Sequence, residues 1–170
     1  MIIEHTNFID YTTIVESFRE RYGDIEEVEK KSGAAFRFNT DRGDQVYVSF
    51  TKLAMDVYAM EDILMQFGDP VDPRLNKTMN VYNIAFSSNT TGFEITQNSS
   101  TREAMKILGT VAYLFKRVEE EKKVHMFIFE AHSPRQEQLY TRMLDHFQQR
   151  DNYIWYSDGE EFFVRTTRNV

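Results

Sequence analysis

Between positions 79 and 166 the apolar positions switch between a period of two and a period near 3.6. That switching predicts one continuous β-β-α-β-α-β-β unit. Tyr82, Ile84 and Phe86 share one face of a strand, with Val81, Asn83 and Ala85 on the other. Asn89-Thr90-Thr91-Gly92 then turns the chain into a second strand, Phe93-Glu94-Ile95-Thr96. A helix begins at Ser100, where Ser100 and Glu103 have the spacing of a capping box. Ala104, Ile107, Leu108, Val111, Leu114, Phe115 and Val118 hold one apolar stripe along it. The run Val124-His125-Met126-Phe127-Ile128-Phe129 is nearly continuous apolar sequence, as in a strand covered on both faces. Ser133-Pro134 supplies an N-cap and a first helical position for the next helix. Gln136, Leu139, Tyr140, Met143 and Phe147 form its inner stripe. Strands at 153–156 and 161–165 flank Asp158-Gly159, a hairpin turn.

The first half is less regular. Ile14, Val15, Phe18 and Tyr22 predict a helix over 10–22, with Gly23 as its stop. The charged stretch 24–31 reads as a solvated connection or an edge segment. A hairpin follows, with alternating strands at 35–38 and 46–50 around Asp41-Arg42-Gly43-Asp44. Positions 53–67 fit neither period cleanly; a strand followed by a helical turn suits them. Gly68-Asp69-Pro70-Val71-Asp72-Pro73 breaks the chain, either as a plain connection or as a loop over a site.

Composition narrows the classes of function. At 170 residues and 41% apolar, the chain is expected to form a single domain over 1–170, with 1–67 as a helix plus N-terminal strands and 79–166 as the regular unit. The net charge of −7 disfavours non-specific nucleic-acid binding, which depends on Lys and Arg displacing counterions. An acidic surface either serves solubility or docks on a basic partner. With no cysteine, thiolate metal sites, disulfides and thiol nucleophiles are excluded. The four histidines lack zinc-binding spacing, so no metal ligand set is assigned. The opening Met-Ile-Ile-Glu-His is not a signal peptide, and no apolar run is long enough to span a membrane. A cytoplasmic protein without a membrane partner is expected. An edge strand in the N-terminal half would allow a homodimer.

The order of strand, loop, long helix, buried central strand, second helix and closing hairpin resembles the GCN5-related N-acetyltransferase (GNAT) fold. The segment from Ser133 to Tyr140 adds to the likeness. The resemblance implies an α+β fold with a mixed, mostly antiparallel central sheet flanked by helices. In that family a Gly-rich loop before the long helix wraps the pyrophosphate of acetyl-CoA. Here Gln97, Asn98, Ser99, Ser100, Thr101 and Arg102 occupy the matching places. Gln97 matches the family pattern, but Ser100 and Arg102 stand where glycine belongs, and a Cβ hinders close approach of the backbone. The same residues also serve simply as a helix cap. Tyr140 matches the family's proton donor to the departing thiolate, and also sits on an apolar stripe. Glu130 ends the central strand as candidate general base, with His132 two residues on; both also read simply as a strand end facing water.

The chain also resembles small proteins carried by tailed phages, which share the Ser/Pro-Arg…Leu-Tyr start of the last helix. That likeness implies no defined activity. Two functions follow from these resemblances. One is a non-catalytic GNAT-like module that binds a protein partner, as a phage accessory protein acting in the host cytoplasm would. The other is an acetyl-CoA-dependent N-acetyltransferase. The roughly evenly spaced Arg135, Arg142 and Arg150 on the last helix offer either a docking patch or a solvated face.

Overall fold

A computed structural model describes residues 21–29, 31–68, 79–88 and 101–169. Among them, seven strands form one sheet: β1 (Glu26–Glu29), β2 (Gly33–Asn39), β3 (Gln45–Lys52), β4 (Val81–Ser88), β5 (Met126–Glu130), β6 (Ile154–Asp158) and β7 (Glu161–Arg165). Three helices join them: α1 (Val57–Phe67), α2 (Thr101–Lys122) and α3 (Pro134–Asp151). The strand order is β1-β2-β3-β4-β5-β7-β6. Every neighbouring pair is antiparallel except β4 and β5, which run parallel. This is the α+β architecture with a mixed, mostly antiparallel sheet that was expected from the resemblance. The helix expected over 10–22 lies outside the described residues except for its last two positions. The strand expected at 93–96 lies outside them as well.

The strands alternate as their sequences require. Phe36 and Phe38 on β2, Val46, Val48 and Phe50 on β3, and Tyr82, Ile84 and Phe86 on β4 all turn to one face. There they meet the stripe of α2 and the stripe of α3, with Leu144 added to the inner positions of α3. The opposite face carries a smaller cluster in which Met60, Ile63 and Leu64 of α1 pack on Val81, Met126, Ile128 and Phe163. Strand β5 is therefore buried on both sides, Phe127 and Phe129 towards α2 and α3, Met126 and Ile128 towards α1. A strand so placed has no polar face, which is why its sequence is an unbroken apolar run.

Residues 53–67 depart from the strand-then-turn expectation. β3 ends at Lys52, and α1 is a three-turn helix capped at both ends. The Asp56 carboxylate accepts the Ala59 N–H at 2.8 Å. Gly68 closes the helix at φ 71°, donating its N–H to the Leu64 and Met65 carbonyls. Met60, Ile63, Leu64 and Phe67 carry the helical spacing, but the exposed Tyr58 and Met65 blur it.

Among the described residues β1, the charged segment from Glu26 to Glu29, lies at one edge of the sheet and β6 at the other. Glu26 pairs with Arg37, and Glu27 meets Arg117 of α2 at 2.9 Å. Glutamates along an edge disfavour pairing with another strand. Between β1 and β3, Gly33 admits no side chain, since an added Cβ would lie 2.0 Å from the Phe50 carbonyl oxygen. That oxygen belongs to the ladder and cannot move aside. Gly33→Ala is expected to cost about 1–3 kcal/mol, whereas Gly23→Ala, with nothing within 4 Å of the new methyl, stays within about 0.5 kcal/mol of the parent. Urea denaturation of both variants measures the contrast, and equal stabilities would show that the β2–β3 contact yields.

The start of the β4–β5 ladder is tied by a buried histidine. His125 Nδ1 accepts the Asn80 N–H at 2.9 Å, so Nε2 carries the ring hydrogen and donates to the Asn169 carbonyl at 3.1 Å. The Asn80 side chain donates to the carbonyls of Lys122 and Lys123, and Arg165 donates to the His125 carbonyl. Burial, and then the nearby Arg165 and Arg168, hold the His125 pKa below its ordinary 6.5. The unfolded chain therefore binds more protons as acid is added. This contribution to stability is complete above the ordinary histidine range and is lost as pH falls through it towards the lower folded value. The expected result is a denaturation midpoint that declines between roughly pH 7 and 5, with a flatter profile in His125→Gln. An unchanged slope in the variant would remove His125 from the account.

Candidate functional site

The site follows from how the two parallel strands part. β4 and β5 pair over Val81–Met126, Tyr82–Phe127 and Asn83–Ile128, and then separate. Each continues beside its antiparallel neighbour: β4 stays on β3 as far as Ser88, and β5 stays on β7 as far as Glu130. The separation opens a cavity of about 310 Å³. Its walls are Asn83 to Phe86 on one side and Ile128 to Glu130 on the other, with His132 and Glu161 at the rim.

Main-chain direction gives this cleft its chemistry. Leu53 N–H donates to the Val81 carbonyl, and Ala131 N–H donates to the Glu160 carbonyl. Ladder bonds alternate along a strand. Odd-numbered residues of β4 thus turn their N–H and C=O groups to β3, and odd-numbered residues of β5 turn theirs to β7. Even-numbered residues of the two strands face each other. Beyond the last pair, the main chain of Phe86 faces the cleft, and no strand among the described residues lies opposite it.

Glu130 and Glu161 are direct cross-strand partners, so their carboxylates project from the same face at the cleft mouth. Both are exposed. His132 is exposed too, and its backbone N–H donates to Gln136 Oε1 at 2.7 Å. Ser133 accepts the Gln136 N–H at 3.1 Å. Gln136 thus closes a reciprocal cap that fixes where α3 begins relative to the end of β5. The sequence reading placed Gln136 only on the buried stripe of this helix.

Tyr140 lies beneath the cleft rather than in it. It is 1% exposed, and its ring meets Phe86, Phe129 and Phe162 edge to face at 5.3 to 5.8 Å. Phe86 and Phe129 are themselves cleft walls. The Tyr140 hydroxyl is buried with no hydrogen-bond partner, and burial pushes its pKa far above the ordinary phenol value. Glu130 and His132 reach the cleft, while Tyr140 is separated from it by two phenyl rings.

Of the loop residues, Gln97, Asn98, Ser99 and Ser100 lie outside the described residues. Thr101 opens α2, and Arg102 is exposed on its first turn. Glu103 turns to Arg42 at 3.1 Å. Among the described residues no group of three or more histidines and carboxylates is placed to hold a metal ion, and no helix is long and apolar enough to cross a membrane.

Comparison of the chain with protein-family models and with curated proteins gives no match to either. The cleft-facing edge of β4 and the carboxylate of Glu161 were not singled out from the sequence. Period-two alternation identifies a strand but not the residue at which a parallel ladder stops. Glu161 read only as one flank of a hairpin.

Removing the Tyr140 hydroxyl tests its role. An unpartnered buried hydroxyl costs its desolvation and returns nothing, so Tyr140→Phe is expected to leave stability unchanged or raise it by about 1 kcal/mol. Thermal or urea unfolding reads this directly. A clear loss of stability would mean that the hydroxyl has a partner in solution.

Proposed function

We propose that the chain is a non-catalytic, GNAT-like binding module that grips an extended, basic segment of a protein partner in the β4–β5 cleft. The observation that carries this reading is the pairing of a strand edge with acid. The cleft offers the Phe86 main chain and, at its mouth, Glu130 and Glu161, while its described walls contain no Lys or Arg. An extended segment adds to such an edge through its own N–H and C=O groups. Two carboxylates beside that edge favour a Lys or Arg on the incoming segment. A host protein with a basic surface is a suitable partner if the chain is a phage accessory protein.

Acetyl-CoA is the ligand that the fold resemblance implies. Its amide-bearing arm fits a strand edge of this kind, while its phosphates fit poorly beside Glu130 and Glu161. Of the residues matched to its phosphate loop, Gln97 to Arg102, only Thr101 and Arg102 are among the described residues. The opening of the parallel pair, taken alone, favours the second reading, an acetyl-CoA-dependent N-acetyltransferase. Acetyl-CoA, when bound, would supply an activated acyl group. Glu130 or His132 would then take the proton from an amine substrate, and Tyr140 would have to be uncovered to donate one.

Thermal unfolding separates the two readings. A cofactor that binds only the native state stabilises it by roughly 2.7 kcal/mol at a hundredfold excess over Kd. The expected result is no shift of the midpoint with millimolar acetyl-CoA. In parallel, partner capture from host lysate should be lost in a Glu130→Lys, Glu161→Lys variant that unfolds like the parent. A saturable acetyl-CoA shift, or capture indifferent to both charge reversals, would overturn the binding-module reading.

A further inference from the structure

A second concavity lies on the outer surface between α2 and α3, away from the β4–β5 cleft, and its chemistry is the reverse. It encloses about 240 Å³. The floor is apolar and shallow-sided, with Gly109 and Ala112 of α2 against Met143 and Phe147 of α3. Four basic side chains stand around it: Arg21, Lys116, His146 and Arg150. In a chain of net charge −7, such a grouping runs against the overall balance.

The four are not equivalent. Lys116 is paired with Asp151, which offsets its charge. The Arg21 guanidinium lies over the Tyr113 ring, 3.9 Å from its centroid. A guanidinium that meets a ring through its face keeps the N–H edge that forms paired hydrogen bonds with an oxyanion. Arg150 is exposed at the end of α3, and His146 stands one turn before it. An apolar floor beside convergent polar groups is the usual make-up of a small-molecule site. A volume below the drug-sized range suits one ring and its charged group.

We propose that this groove binds a ring-bearing phosphate monoester, with the ring on Met143 and Phe147 and the phosphate between Arg21 and Arg150. A dianion suits two arginines with His146 beside them better than a carboxylate does. The proposal does not depend on what the β4–β5 cleft holds.

The test is calorimetric titration of the full chain with phenyl phosphate and, separately, with inorganic phosphate. Burial of the ring is expected to make phenyl phosphate bind roughly tenfold tighter or more. Arg21→Ala combined with Arg150→Ala should weaken it at least as much. Both residues are exposed, so the unfolding midpoint of the double variant should match the parent. A phosphotyrosine peptide serves as the third probe. Tighter binding than the free ester assigns the group to a partner's side chain, and equal or weaker binding assigns it to a small molecule. Equal affinity for both phosphates, binding unchanged in the double variant, or no binding at millimolar ligand would each overturn the proposal.

Discussion

Three residue pairs of parallel ladder join the two halves of this sheet. β1 to β4 form one antiparallel run and β5, β7 and β6 form another, and among the described residues the parallel register that joins them covers Val81–Met126, Tyr82–Phe127 and Asn83–Ile128. So short a seam holds because other groups hold it as well. Asn80 and His125 tie its beginning, and the side chains along it are buried on both faces. Phe127 packs on Phe115 at 3.8 Å between ring centroids and on Phe50 at 6.1 Å, which bonds α2 and β3 to the same point. The seam could not be lengthened without closing the cleft, because the separation of the strands past Asn83 and Ile128 is what creates the space.

The aromatic packing below the cleft reflects the same constraint. Where β4 and β5 part, the ladder no longer supplies cohesion, and side chains take its place. Phe86, Phe129, Phe162 and Tyr140 form a cluster of edge-to-face and stacked rings under the opening. Ring pairs of this kind add stabilisation beyond their buried area. A tyrosine in that cluster contributes its ring, and its hydroxyl adds a desolvation cost. On this account Tyr140 props the cleft open.

Most of the strands and the two long helices were legible because each has a single dominant period. The stripe of α2, the alternation of β2 to β4 and the unbroken apolar run of β5 each admit one interpretation. The Asp158-Gly159 turn was legible for a different reason, since Gly159 adopts φ 60°, which few other residues accept. α1 was not, because its exposed Tyr58 and Met65 dilute the spacing of Met60, Ile63, Leu64 and Phe67. The site was legible only in part. Glu130 and His132 could be placed at a strand end from sequence, but the cleft itself is a property of register. Parallel register depends on residues 45 positions apart, such as Val81 and Met126, and leaves no periodic trace within either segment.

Net charge also proved a coarse guide, and the two concavities show why. A value of −7 averages over surfaces of opposite sign: Glu130 and Glu161 at the sheet opening, and Arg21, His146 and Arg150 between the helices. Charges act over about one Debye length at physiological salt, roughly 8 Å, so a ligand responds to the groove it enters and not to the total. α3 links the two surfaces. Its N-terminal cap orders His132 at the cleft, Tyr140 on its inner face supports the cleft from below, and Arg150 at its far end reaches the basic groove. Arg150 therefore belongs to a different group from Arg135 and Arg142, with which helical spacing had aligned it. Its neighbours in the groove are Arg21 and Lys116, from other parts of the chain, and that grouping exists only once α2 and α3 have packed side by side.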